Sequence, residues 1–147
     1  MLRRAAKGFS LIELMIVVTI IAILASLAYY NYSRYAFRTR RADGREMLMR
    51  VAAAQERFFT NTNGYANSAS DITTAPPLGL GLQTTSAGGH YTLSATPGSS
   101  GDPLTYILIA APTPGDVQAN DKCGSLTIDN VGNKGATPGD TSNGACW

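Results

Sequence analysis

The residues with the type and setting for chemistry fall into three groups. The first is one carboxylate, Glu13, inside an otherwise apolar run from Phe9 to Tyr30. A carboxylate in hydrocarbon is costly unless it is protonated or paired, so an acid there marks function by default. The second is a pair of cysteines, Cys123 and Cys146. Behind an export-like N-terminus they read as one disulfide formed in an oxidising compartment. Closing a loop of about two dozen residues, that bond contributes roughly 3 kcal/mol on the loop-entropy account. The third group is scattered. His90 is the single histidine and reads as a strand-edge residue with a structural or solvent role. Asp116, Asp121 and Asp129 have the hard oxygen ligands that suit calcium, but their spacing matches no loop motif, and they read as solvated loop acids. There is no Cys–His cluster and no glycine-rich phosphate loop before a helix. No catalytic residue, metal ligand or cofactor is assigned, and the chain does not read as an enzyme.

The elements that position these groups change character along the chain. Met1 to Gly8 is a short basic stub carrying Arg3, Arg4 and Lys7. The apolar run that follows contains no glycine or proline, and about 20 helical residues span the ~30 Å hydrocarbon core of a bilayer. The helix is expected to continue through Asn31 to Phe59. There Leu48, Val51, Ala52, Gln55, Phe58 and Phe59 form an amphipathic stripe, with Arg45, Arg50 and Arg57 free to take the other face. Gly44 costs this helix about 1 kcal/mol relative to alanine. Asn61, Asn63 and Gly64 are stop signals. A compact domain this small does not bury so long a helix alone, so half of it belongs in a membrane or against other copies.

Beyond residue 60 the chain is rich in Gly, Pro, Ser, Thr and Asn. Gly64 to Gly89 reads as an irregular connection broken by Pro76-Pro77 and Gly88-Gly89. Tyr91 and Leu93 alternate with polar neighbours, Leu104 to Ala110 is an apolar run, and Leu126 and Ile128 alternate again, so three strands are expected. Pro97 to Pro103 and Pro112 to Asp121 are loops, Asn130-Val131-Gly132 is a turn, and the remainder reads as loop. A core this thin needs a staple such as the disulfide.

The formal charge of +2 belongs largely to the stub. Without Arg3, Arg4 and Lys7, nine basic residues face ten acidic ones. Beyond Thr60 there are two basic residues, Lys122 and Lys134, against six acidic ones. Non-specific DNA affinity rests on lysine and arginine reaching phosphates, so an acidic head argues against it. Arg34, Arg38, Arg40, Arg41 and Arg45 form a basic cluster after the apolar run, where anionic lipid headgroups or acidic neighbours are the expected partners. With basic residues on both sides of the run, the positive-inside signal is mixed.

The segment Lys7-Gly8-Phe9-Ser10-Leu11-Ile12-Glu13 resembles the processing site of type IV prepilins and the related pseudopilins. The likeness continues through Leu14-Met15-Ile16-Val17-Val18 to Tyr32. It implies cleavage between Gly8 and Phe9 by a prepilin peptidase, N-methylation of Phe9, and pairing of Glu13 with the N-terminal amine of a neighbouring subunit during assembly. Opposite charges ~4 Å apart attract by about 4 kcal/mol at an effective dielectric of 20. An ordinary secretory signal, with Ser26-Leu27-Ala28 as its cleavage site, gains nothing from Glu13. Towards the C-terminus, Cys123-Gly124-Ser125-Leu126-Thr127-Ile128-Asp129, Asn133-Lys134-Gly135 and Cys146-Trp147 resemble the minor-pilin branch that includes PilE-type and competence pilins. Gly64-Tyr65-Ala66 and Tyr91-Thr92-Leu93 fit the same branch. Two positions depart from the family: Tyr30 stands where many members carry a helix-kinking proline, and Ala22 where a glycine is common.

The resemblance implies an α+β pilin fold, with a long N-terminal α-helix packed on a small antiparallel sheet of three or four strands and a C-terminal disulfide loop. It divides the chain into a leader (1–8), a transmembrane and assembly segment (9–30), an amphipathic segment (31–60) and a globular head (61–147). It implies a filament subunit used for motility, adhesion or DNA uptake. Its partners would be other pilin subunits, the peptidase and an inner-membrane assembly platform. The subunit would wait in the bacterial inner membrane with its head periplasmic and become extracellular in the pilus. A type II secretion pseudopilin and a DNA-binding competence pilin are the alternatives.

Overall fold

The computed structural model describes residues 8–98, 102 and 104–147, and at 29–31 it describes the backbone alone. The expected leader therefore lies outside the described residues apart from Gly8, as does most of the loop expected at Pro97 to Pro103. The chain divides into two compact units, Met1–Tyr35 and Ala36–Trp147. One helix, α1 (Leu11–Thr62), contributes to both. Its backbone stays helical through Ala22 and Tyr30, the two positions that depart from the family pattern. Tyr30 keeps the amide donor that proline would remove, and Ala22 avoids the helix cost of glycine.

In the first unit α1 buries almost nothing. From Leu11 to Leu27 its large apolar side chains are all exposed, because among the described residues no second element of the unit covers them.

In the second unit α1 lies on a four-stranded antiparallel meander: β1 (Tyr91–Pro97), β2 (Tyr106–Pro112), β3 (Gly124–Asp129) and β4 (Lys134–Pro138), in that order across the sheet. The period-two alternation selects the core face. Tyr91, Leu93 and Ala95 of β1, Tyr106, Leu108 and Ala110 of β2, and Leu126 and Ile128 of β3 are buried. The registry carries one row straight across the sheet, from Leu93 to Ala110 to Leu126 to Ala136. Met47, Leu48, Val51 and Ala54 of α1 close the core from the other side. Gln55 is also buried. Its side-chain amide donates to the Ala66 carbonyl (2.6 Å) and its oxygen accepts from the Ala66 amide (2.9 Å). Both backbone groups of a buried connecting residue are thereby satisfied.

Gly44 has a packing reason that its propensity hides. A Cβ built there would stand 2.9 Å from Cδ2 of the buried Tyr91 ring, so the missing side chain lets β1 approach α1.

Four sequence expectations change. The Gly64–Gly89 connection holds a short helix, α2 (Ala69–Thr73), whose Ser68 side chain caps the Asp71 amide. The segment after the 130–132 turn, expected as loop, forms β4. It carries one inward alanine, Ala136, and no apolar alternation, so it has no strand signal of its own. Pro97 belongs to β1, at the strand end where its missing donor is tolerated. β2 starts at Tyr106 and not at Leu104.

Candidate functional site

Each unit carries one arrangement of charged side chains in apolar surroundings. In the first, Gly8, Phe9 and Ser10 precede α1 and are exposed. The Ser10 hydroxyl accepts from the Glu13 amide at 3.3 Å, and Glu13 stands in the first helical turn. This is the Ser-x-x-Glu spacing of a capping box, and an acid in the first turn also faces the positive end of the helix dipole. The spacing was readable in the sequence and supplies a local reason for a glutamate here beside any role in assembly. Gly8 and Phe9 thus stand just ahead of one exposed apolar helix and Glu13 in its first turn.

In the second unit Arg41 is completely buried. Its Nε donates to Asp121 Oδ2 (2.6 Å) and its Nη2 to Asp121 Oδ1 (2.7 Å), a bidentate ion pair. Its Nη1 donates to the carbonyls of Gly144 (3.2 Å) and Ala145 (2.8 Å). Those two residues precede Cys146, which is disulfide-bonded to Cys123, with the two Cα atoms 5.5 Å apart. Asp121 also accepts from the Gln118 side-chain amide at 2.8 Å, and Gln118 donates to the Tyr91 hydroxyl at 2.8 Å. Arg38 donates to the Asn143 carbonyl at 3.1 Å. The C-terminal loop is thus held covalently to β3 and by guanidinium bonds to α1.

This arrangement corrects two sequence expectations. Asp121 is a buried ion-pair partner and not a solvated loop acid. Arg41 leaves the basic cluster expected to meet lipid or phosphate, because its charge is spent inside the head. The remaining acids are used locally. Asp116 accepts from the Gln118 amide, which holds its carboxyl below the usual range, and stands 3.2 Å from His90 Nδ1. Asp129 organises the 130–132 turn. Burial would raise its pKa, but bonds from Asn133, Val131 and Gly132 outweigh that and hold it low. His90, directly before β1, is half-buried on Asp116. Burial pushes the Tyr91 hydroxyl up to about 12 against the opposing bond from Gln118. Among the described residues no three His, Cys, Asp or Glu side chains gather as metal ligands would.

Gly124, next to Cys123, has φ +65°, and a Cβ there would fall 2.3 Å from the Thr137 carbonyl. The turn into β3 therefore requires glycine. Trp147 ends the chain against the core, with its indole N–H on the Gly135 carbonyl and the Lys134 ammonium 5.3 Å from its ring centre.

The N-terminal arrangement coincides with a matched family model. Residues 3–29 match the prokaryotic N-terminal methylation motif. Residues 31–127 match a model described as type IV minor pilin ComP, DNA uptake sequence receptor. The chain belongs to the type IV pilin family. The type IV wide pilus major component PilA4 of Thermus thermophilus is 31% identical over 78% of this chain and 79% of its own length. The type IV major pilin protein PilA of Myxococcus xanthus is 40% identical over a region covering 50% of this chain and 33% of that pilin. A fimbrial protein of Pseudomonas aeruginosa is 61% identical over 36 residues, 24% of this chain and 23% of its own. A solved type IV pilin from Shewanella oneidensis aligns over 76% of this pilin and 97% of its own chain, at 26% identity and a TM-score of 0.48.

Proposed function

We propose that this pilin is a structural subunit of a type IV pilus, made as a membrane-resident precursor and built into the filament through α1. One observation carries the reading. Within a helix of 52 residues, the apolar window is exposed throughout, with hydropathy high enough to cross a membrane. Exposed apolar surface on this scale calls for lipid or for other copies of itself. In this reading the prepilin peptidase cuts between Gly8 and Phe9, Phe9 is N-methylated, and the new amine of one subunit meets Glu13 of another. The precursor sits in the inner membrane beside the assembly platform, with its head periplasmic.

Mass spectrometry of the subunit from sheared filaments tests this directly. An N-terminal N-methyl-Phe9 is the expected result, and a chain beginning near Tyr29 would overturn the reading. Glu13→Gln is the sharper substitution for pairing, because glutamine keeps the capping geometry and removes the charge. Cleavage should persist while filament incorporation falls, and unchanged incorporation would refute the pairing role.

The family model matched by residues 31–127 names a DNA receptor, which favours a second reading as a minor pilin that retains DNA. The charge distribution opposes it. Arg41 is consumed by Asp121, Arg38 is bonded to Asn143, and acids outnumber lysines beyond residue 60. Salt-sensitive retention of DNA by purified pili, lost on substitution of Lys122 and Lys134, would establish the second reading. Copy number along the filament decides between a major and a minor subunit.

A further inference from the structure

The apolar part of α1 is bracketed by two charges. Between Glu13 and Arg34 lie 20 residues, Leu14 to Ser33, without one Asp, Glu, Lys or Arg. At 1.5 Å per residue they rise about 30 Å, the thickness of a bilayer's hydrocarbon core. Both charges can therefore stand at the two boundaries at once. A slide of one turn either way draws one of them into hydrocarbon.

The two ends are otherwise unlike. Tyr29, Tyr30, Tyr32 and Tyr35 cluster at the Arg34 end, whereas Phe9 is the sole aromatic residue before Tyr29. Tyr32 and Tyr35 are 72% and 69% exposed and lie three residues apart, on one side of the helix. A tyrosine has an apolar ring and a polar tip, so it settles at headgroup depth, where arginine also finds phosphate and water. A competing register exists. On hydrophobicity alone the core would cover residues 9–28, which places Glu13 more than a turn inside.

We infer that Tyr32 and Tyr35 form a one-sided collar for lipid headgroups, at the same depth as Arg34, and that this collar sets the depth of the helix so that Glu13 sits within about one turn of the opposite boundary. The inference rests on the membrane-resident reading above. It gives the tyrosines a task before assembly. They hold the Gly8–Phe9 bond at the membrane surface and keep the Glu13 carboxylate in reach of water until the helix is drawn out.

The test uses the full-length precursor in inverted inner-membrane vesicles, with the native cysteines oxidised. Single thiols are introduced by Leu14→Cys or Ile21→Cys, one heptad apart on the same face, and reacted with a membrane-impermeant maleimide that needs a hydrated thiolate. Leu14→Cys should label about tenfold faster than Ile21→Cys. Adding Tyr32→Ala and Tyr35→Ala should slow labelling at position 14 by about tenfold, and tryptophan at both positions should restore it. A non-reducing gel showing the Cys123–Cys146 bond intact confirms that the head has folded. Slow labelling at both positions in the parent chain, or labelling at 14 indifferent to the tyrosines, overturns the collar. Fast labelling at both positions would instead overturn the membrane-resident reading on which it rests.

Discussion

Glu13 and Asp121 are both carboxylates set among apolar residues, one in each unit. Asp121 is provided for by its own chain: a bidentate arginine, a glutamine amide and a closed core surround it. Glu13 has a local cap and no counter-ion in its own helix, which carries no basic residue before Arg34. The head thus supplies the counter-ion of its own carboxylate, whereas the described residues of the N-terminal unit offer Glu13 none. The same contrast holds for apolar surface, which forms a closed core in the head and is bare from Leu11 to Leu27 of the helix. Self-sufficiency in one unit and incompleteness in the other is what a subunit built to polymerise requires.

The contrast can be broken most severely at Arg41. Arg41→Ala leaves a buried carboxylate unpaired, and the head should lose about 3–5 kcal/mol. Denaturant unfolding of the full chain in detergent, followed by the fluorescence of Trp147, measures this. Replacing both partners by apolar residues, Arg41→Met with Asp121→Leu, should recover much of the loss. Glu13→Gln in the same assay should leave the transition in place, and a shift there would erase the distinction between the units.

Next in size is the disulfide. Cys123→Ser with Cys146→Ser should cost roughly 3 kcal/mol by loop entropy. It should cost less in the Arg41→Met, Asp121→Leu background, because the loop is then no longer held twice. Strict additivity in that cycle would show that the covalent and ionic holds act independently.

Gly44→Ala tests packing against propensity. Helix propensity alone promises a gain of about 1 kcal/mol. The contact with the Tyr91 ring reverses the sign, to a loss of about 1–3 kcal/mol. In a Tyr91→Leu chain the substitution should become neutral or favourable.

The smallest effect is acidic. Asp116, Asp129 and Asp140 are all held below the usual carboxylate range, Asp140 first by the Ser142 amide. A depressed folded pKa stabilises the head above the unfolded value, and that gain is lost as the pH falls through the folded value. The unfolding midpoint of Trp147 should therefore hold steady from neutrality to about pH 5 and then fall. Asp129→Asn should flatten the fall in part.

How far the sequence reached follows the range of each interaction. The helix, three of the four strands and the 130–132 turn are local patterns of period 3.6, period 2 or turn chemistry, and they were legible. So was the cysteine pair, because two cysteines allow one pairing. Arg41 and Asp121 were not. Each looks like an ordinary solvated charge in its own neighbourhood, and nothing local marks the 80 residues of separation that the fold closes. Lys134–Pro138 was missed because a strand of Lys, Gly, Ala, Thr and Pro is recruited by its neighbour β3 and not by its own propensity. At Gly44 the cost was visible and its cause was not, since Tyr91 arrives from β1.

The partners of Arg41 are spread along the chain in an order that matters during biosynthesis. The guanidinium emerges early. Its first partner is made 80 residues later, and the last two 103 and 104 residues later, next to the end. Until those carbonyls arrive, the core cannot close around the arginine without stranding donors. The buried arginine therefore ties completion of the core to the synthesis of Gly144 and Ala145.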